Sequence, residues 1–117
     1  MIRSFLRLLF GGKKTPEEKA RMMDSLKIAR SKIFDRVYLN LPEQLRNSDK
    51  IGRAIAEQIN YATASPQFVG DDEEMRRKLE VLVAELRLNG ADQAASELTS
   101  AVKMRPQYLA LAERIMG

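Results

Sequence analysis

The spacing of apolar residues between the prolines of this chain is the feature that most constrains its fold. From Thr15 onward, apolar residues recur every three or four positions, which is the period of an α-helix and not the two-residue period of a strand. Prolines and glycines interrupt the pattern where helices would begin or end, because proline suits a first helical turn and glycine suits the residue after the last one. The sequence therefore predicts an all-α protein, a compact bundle of about five helices preceded by an amphipathic N-terminal helical arm.

The strongest start signal lies at Thr15, which is followed by Pro16 at the first helical position and by Glu18 where a capping box needs it. The helix that begins there is predicted to run to about residue 39. Residues 42–63 form either one helix or a short turn followed by a helix from Asp49. After a loop at 65–70, the remaining helices are predicted at 71–88, 91–103 and 106–117, with Asn89 and Gly90 as a C-terminal cap.

Each predicted helix carries one apolar face. Alanines dominate the face of segment 91–103, so a neighbouring helix can approach it closely. The expected core residues are Met22, Leu26, Ala29, Ile33 and Val37, then Ile51, Ala54, Ile55, Ile59 and Ala62, then Met75, Leu79, Leu82 and Leu86, then Ala94, Ala95, Leu98, Ala101 and Val102, and finally Tyr108, Leu111, Ala112 and Ile115.

Composition excludes several classes of chemistry. The chain has no histidine, cysteine or tryptophan, so it lacks thiol nucleophiles, disulfides, Cys/His zinc sites and imidazole-based catalysis. The acidic run 71–74 sits at a predicted helix start, where negative charge complements the helix dipole, and it lacks the spacing of a calcium loop. Residues 11–14 lack the preceding strand and full glycine spacing of a phosphate-binding loop. We expect no cofactor and no metal, and a carboxylate-dependent enzyme is only the third hypothesis.

The net charge of +4 is confined to one end of the chain. The first 14 residues hold four basic side chains and no acidic one, which leaves 16 basic and 16 acidic residues in the rest of the chain. A local positive excess of this kind favours contact with a negatively charged surface at that end. With 117 residues there is enough chain for one hydrophobic core. We therefore divide the chain into an arm with a Gly-Gly hinge at 1–14 and one helical domain at 15–117.

Seven of the first ten residues are apolar, and an isolated short helix does not leave that much apolar surface in water. The arm could pack back onto the bundle, with Met22 and Met23 beside the hinge as its cradle. It could instead lie on an anionic membrane, or dock into a protein partner or a second copy of the chain. The candidate binding residues are Ile2, Arg3, Phe5, Leu6, Arg7, Leu9, Phe10, Lys13 and Lys14.

An alternative function is nucleic-acid binding by the basic residues of helix 15–39. Acidic residues are interspersed among them, and the helix lacks aromatic stacking positions on that face. Steep loss of affinity with rising salt would identify this function, because each phosphate contact releases a counterion. The candidate residues are Lys19, Arg21, Lys27, Arg30, Lys32 and Arg36.

Together these patterns predict a non-enzymatic adaptor or regulator. Its expected partners are a protein or a second copy of itself first, an anionic membrane surface second and nucleic acid third. The sequence shows no cleavable export signal and no apolar run of about 20 residues, the length that crosses a bilayer. The expected location is the cytoplasm, including the inner surface of its membrane.

Overall fold

A computed structural model describes residues 15–66, 68 and 70–116. For residue 116 it describes the backbone only. Within these residues it contains six helices and no strand, so the predicted all-α class is confirmed. The helices are α1 (Pro16–Leu39), α2 (Glu43–Arg46), α3 (Asp49–Ala62), α4 (Asp72–Leu88), α5 (Asp92–Lys103) and α6 (Arg105–Met116).

The segment after α1 folds as the second of the two predicted alternatives. A turn at residues 40–42 is followed by the single turn of α2, and α3 begins separately after Ser48. The Ser48 hydroxyl accepts a hydrogen bond from the Ile51 amide at 3.3 Å, which satisfies one of the unpaired amides at the start of α3. This short helix accounts for the difference between six observed helices and about five predicted ones.

Two helix starts and one helix end close as their sequences indicate, at Thr15, Asp71 and Gly90. The Thr15 hydroxyl accepts from the Glu18 amide at 3.2 Å, and Asp71 Oδ1 accepts from the Glu74 amide at 2.9 Å. At the end of α4, Gly90 adopts a φ of 77°, and the Ala91 amide donates to the carbonyl oxygen of Leu86 at 2.8 Å. This is a Schellman closure, in which a left-handed residue lets the chain turn back onto the last helical carbonyls.

Helix α5 lies at the centre of the fold and contacts α1, α3, α4 and α6. Its inward face is made of small side chains, as predicted, and this lets four helices approach it. The core residues are Ile33, Val37, Leu41 and Leu45, then Ile51, Ile55, Ile59 and Ala62, then Leu82 and Leu86, and then Ala91, Ala94, Ala95, Leu98 and Ala101. Half-buried side chains at Ala54, Leu79, Val102 and Tyr108 complete its edge.

Helix α1 begins outside this core. Its first buried side chain is Leu26, ten residues after the helix starts at Pro16, and Met22 is only half-buried. At a rise of about 1.5 Å per residue, roughly the first 15 Å of the helix carries no fully buried side chain. The point where the N-terminal segment joins the fold is therefore an exposed helix end.

Candidate interaction surfaces

The predicted arm residues lie outside the described part of the chain. They are Ile2, Arg3, Phe5, Leu6, Arg7, Leu9, Phe10, Lys13 and Lys14. The structure does show where the segment joins the fold: Thr15, Pro16 and Glu17 are all exposed at the start of α1.

An apolar pocket of about 200 Å³ lies two to three helical turns from that junction. Met23 and Leu26 of α1 form one wall, and Ala112 and Ile115 of α6 form another. Pro66 closes the pocket from the loop after α3. Met23, predicted as part of a cradle, is 45% exposed.

The basic residues of α1 do not share one face. With about 3.6 residues per turn, Arg21, Lys32 and Arg36 fall on one flank of the helix and Lys27 falls on the other. Asp24 and Asp35 lie between the two flanks. Lys19 is half-buried on the side that faces the bundle. The helix therefore presents alternating charges to solvent, where phosphate binding would need a continuous basic stripe.

Arg30, another candidate for nucleic-acid contact, has a structural partner. Its Nε donates to the hydroxyl of Thr63 at 2.9 Å, and that hydroxyl donates to the Ile59 carbonyl oxygen at 2.8 Å. Burial lowers the pKa of the Arg30 guanidinium from its ordinary value. The side chain joins α1 to the end of α3.

The acidic run at 71–74 is used for helix capping and ion pairs. Asp71 caps α4, Glu73 pairs with Arg76 and Glu74 pairs with Lys78. No group of three or more His, Cys, Asp or Glu residues in the described part of the chain could hold a metal ion. The prediction that this run lies at the start of a helix is confirmed.

A cleft of about 410 Å³ lies between α3 and α4. Its floor contains Ile51, Ala54 and Leu82, and Val81 stands on its α4 wall with 67% of its surface exposed. Charged side chains form the rim: Lys50 and Glu57 from α3, and Arg77, Lys78 and Glu85 from α4. Apolar clefts with charged rims are a common form of protein-binding surface.

The rim has one internal ion pair across the cleft. Lys78 Nζ lies 3.1 Å from Glu57 Oε1 and 3.3 Å from Glu74 Oε1, and these bonds raise the pKa of Lys78. Gln58 also lines the cleft and is 1% exposed. Its Nε2 donates to the Met75 carbonyl oxygen at 3.1 Å, whereas its Oε1 has no partner among the described residues.

A second polar cluster joins three helices, α3, α4 and α6. The Tyr61 hydroxyl donates to Asp72 Oδ1 at 2.7 Å, and Arg105 stacks over the Tyr61 ring at 3.9 Å from the ring centre. Arg105 also donates to the Tyr61 carbonyl oxygen and lies 3.6 Å from Asp72 Oδ1. Phe68 packs edge-on against the same ring. Because all these groups satisfy each other, the cluster is a structural junction between α3, α4 and α6.

Neither the cleft nor this junction is among the features that the sequence predicts. Val81 could have been found as an apolar residue outside the predicted core face of its helix. No local signal marks the junction, because Tyr61 and Arg105 are 44 positions apart.

Comparisons of the chain with protein-family models, with curated proteins and with solved structures found no match. Among the described helices, none is long and apolar enough to cross a membrane.

Proposed function

We propose that this chain is a non-enzymatic adaptor that attaches to an anionic membrane surface through residues 1–14. The proposal is carried by the composition of that segment: an apolar stripe, four basic residues and no acidic residue, attached to a body with balanced charge. Such a helix lies in the lipid interface with its apolar side chains among the acyl chains and its basic side chains among the phosphates.

The structure supports this arrangement through the position of the junction. The segment continues from the exposed start of α1, whose first ten residues bury no side chain completely. A membrane could therefore approach the segment without displacing the core. Each basic residue near an anionic surface contributes about 1 kcal/mol, and the body adds no net charge to oppose this attraction.

A lipid surface suits this segment better than a protein groove because its four basic residues are unopposed. A protein groove would need an acidic rim matched to their positions, whereas anionic lipids rearrange around them. Binding driven by one short helix is reversible, since a single weak anchor gives only marginal membrane affinity.

The test is sedimentation of the full chain with vesicles of phosphatidylglycerol or of phosphatidylcholine. We expect binding to the anionic vesicles only, weakening as salt is added. Phe5→Asp and Leu9→Asp should each abolish binding and leave the melting temperature unchanged. Ile28→Asp is the matched control, because it places the same charge on an exposed apolar position of α1 and should bind normally.

Two results would contradict the proposal. If the chain does not bind anionic vesicles, residues 1–14 bind a protein partner or no partner at all. If Phe5→Asp lowers the melting temperature by several degrees, the segment belongs to the folded core. Retention of random-sequence DNA at physiological salt would favour the nucleic-acid function instead.

A further inference from the structure

The row of α4 that borders the cleft, exposed at Arg77 and Val81 and half-buried at Glu85, has a charge order that is complementary to itself. Arg77, Val81 and Glu85 are spaced four residues apart and lie in one row along the helix. Val81 is the middle residue, with a positive residue one turn before it and a negative residue one turn after it. Neither Arg77 nor Glu85 forms an ion pair within the described residues.

We propose that this face is a homodimer interface in which α4 of one copy lies antiparallel in the α3–α4 cleft of the other. A twofold axis at Val81 places Arg77 of each copy opposite Glu85 of the second copy, so one pairing supplies two ion pairs. The two Val81 side chains meet at the axis. Twofold dimers require such self-complementary surfaces, because the same patch is used by both copies.

The cleft provides the apolar contact for this pairing. Its floor of Ile51, Ala54 and Leu82 is continuous with Val81, and its volume of about 410 Å³ accommodates side chains from a second helix. The resulting arrangement is four helices, α3 and α4 from each copy, packed as in an antiparallel bundle. Burial of the exposed Val81 supplies a favourable contribution that the monomer leaves unused.

The rim charges set the register of the helices more than the affinity. Lys78 is already paired with Glu57 and Glu74, so it adds little net charge to the interface. The unpaired rim residues Lys50, Arg77 and Glu85 give each copy a small positive excess, which opposes association slightly at low salt. Exposed ion pairs contribute little affinity but disfavour wrong alignments. In the opposite, parallel alignment, like charges would face each other.

The experiment is sedimentation velocity of the full chain over a range of concentrations. We expect dimers for the natural sequence. For Val81→Asp we expect the dimer dissociation constant to rise by about tenfold or more. Arg77→Glu and Glu85→Arg should each weaken association, and the double variant with both substitutions should restore it. Circular dichroism checks that each variant is folded. We expect folding to be retained at Val81 and Arg77 because both side chains are exposed. Ile28→Asp is the control and should dimerise normally.

The proposal is overturned if the natural chain is monomeric throughout, if Val81→Asp dimerises normally, or if the double variant does not recover. It is independent of membrane attachment. Phe5→Asp should lose vesicle binding while still forming dimers, and Val81→Asp should bind vesicles as a monomer, so each proposal can fail without the other.

Discussion

At the scale of single residues, the junction around Tyr61 shows how one side chain can connect distant parts of the chain. Arg105 meets the Tyr61 ring, the Tyr61 carbonyl oxygen and Asp72, and it does so from the start of α6. A lysine could not replace it equally, because the planar guanidinium stacks on the ring while its N–H groups reach the oxygens. The contact therefore depends on this residue type.

Replacing Arg105 should destabilise the fold. Arg105→Met removes the cation–π contact and leaves the Tyr61 carbonyl oxygen without its donor, so we expect a loss of about 1–3 kcal/mol. Urea denaturation followed by circular dichroism measures the change. Arg53→Met is the control, because Arg53 is exposed on α3 and should tolerate the change. Equal stability of the two variants would show that the contacts of Arg105 contribute nothing.

Tyr61 should also titrate later than an ordinary tyrosine. Burial, followed by its hydrogen bond to Asp72, raises the pKa of Tyr61. The folded state thus favours the protonated form of the Tyr61 hydroxyl. The stability that this preference contributes is complete below the unfolded pKa of about 10 and is lost as the pH rises through the higher folded pKa. Ultraviolet titration of the chain should show a late component that is lost in Tyr61→Phe. Persistence of that component in Tyr61→Phe would assign it to another tyrosine.

At the scale of helices, two C-terminal ends close by the same geometry with different residues. Gly90 ends α4 with a φ of 77°, and Ala64 follows α3 with a φ of 52°. In both cases the next amide donates back to a carbonyl oxygen five positions earlier, from Ser65 to Asn60 and from Ala91 to Leu86. Alanine in the left-handed region carries a steric cost that glycine avoids.

The two positions should respond in opposite directions to exchange of glycine and alanine. Gly90→Ala should cost about 1 kcal/mol, although the space around its added Cβ is open, because the strain lies in the backbone. Ala64→Gly should raise the free energy of unfolding by about 0.5 kcal/mol, since it relieves that strain and gives up some chain entropy. Thermal and urea unfolding measure both changes. A loss of stability in Ala64→Gly would indicate that its methyl group packs usefully beside Pro66 and Ile115.

At the scale of the whole molecule, α5 is the element around which the fold is organised. Its buried alanines leave room for α1, α3, α4 and α6 to pack against it. A small-residue helix contributes little apolar area of its own, so its role is to permit close approach and to let larger residues on its neighbours fill the core. The fold should therefore tolerate polar changes on exposed faces better than any increase in volume on α5.

Enlarging Ala94 should disrupt this arrangement. Ala94 is completely buried, and Ala94→Leu inserts three carbon atoms into a packed site, with an expected loss of about 1–3 kcal/mol or more. Differential scanning calorimetry would show a lower melting temperature. Ala20→Leu makes the same change on the exposed start of α1 and should have little effect. If the two variants melt alike, α5 is not tightly packed.

Several features could be predicted because they depend on neighbours within five residues. Helix class, the Thr15 and Asp71 caps, the Gly90 closure and most core faces follow from local periodicity and capping chemistry. Ala64 could not be predicted, since its left-handed conformation contradicts the preference of its residue type. The pairing of Arg30 with Thr63 could not be predicted either, because it depends on how α1 crosses α3.

The sequence by itself determined that this chain forms helices, where most of them begin and end, and that its net charge is confined to the first 14 residues. The helices and their ends arise from interactions between residues that are close along the chain, and the distribution of charge follows from composition alone. Only the tertiary structure decided that α5 is central, that Arg105 reaches Tyr61, and that α3 and α4 leave a cleft beside an exposed Val81. Those outcomes depend on which helix faces meet, and the spacing of apolar residues within each helix does not specify that.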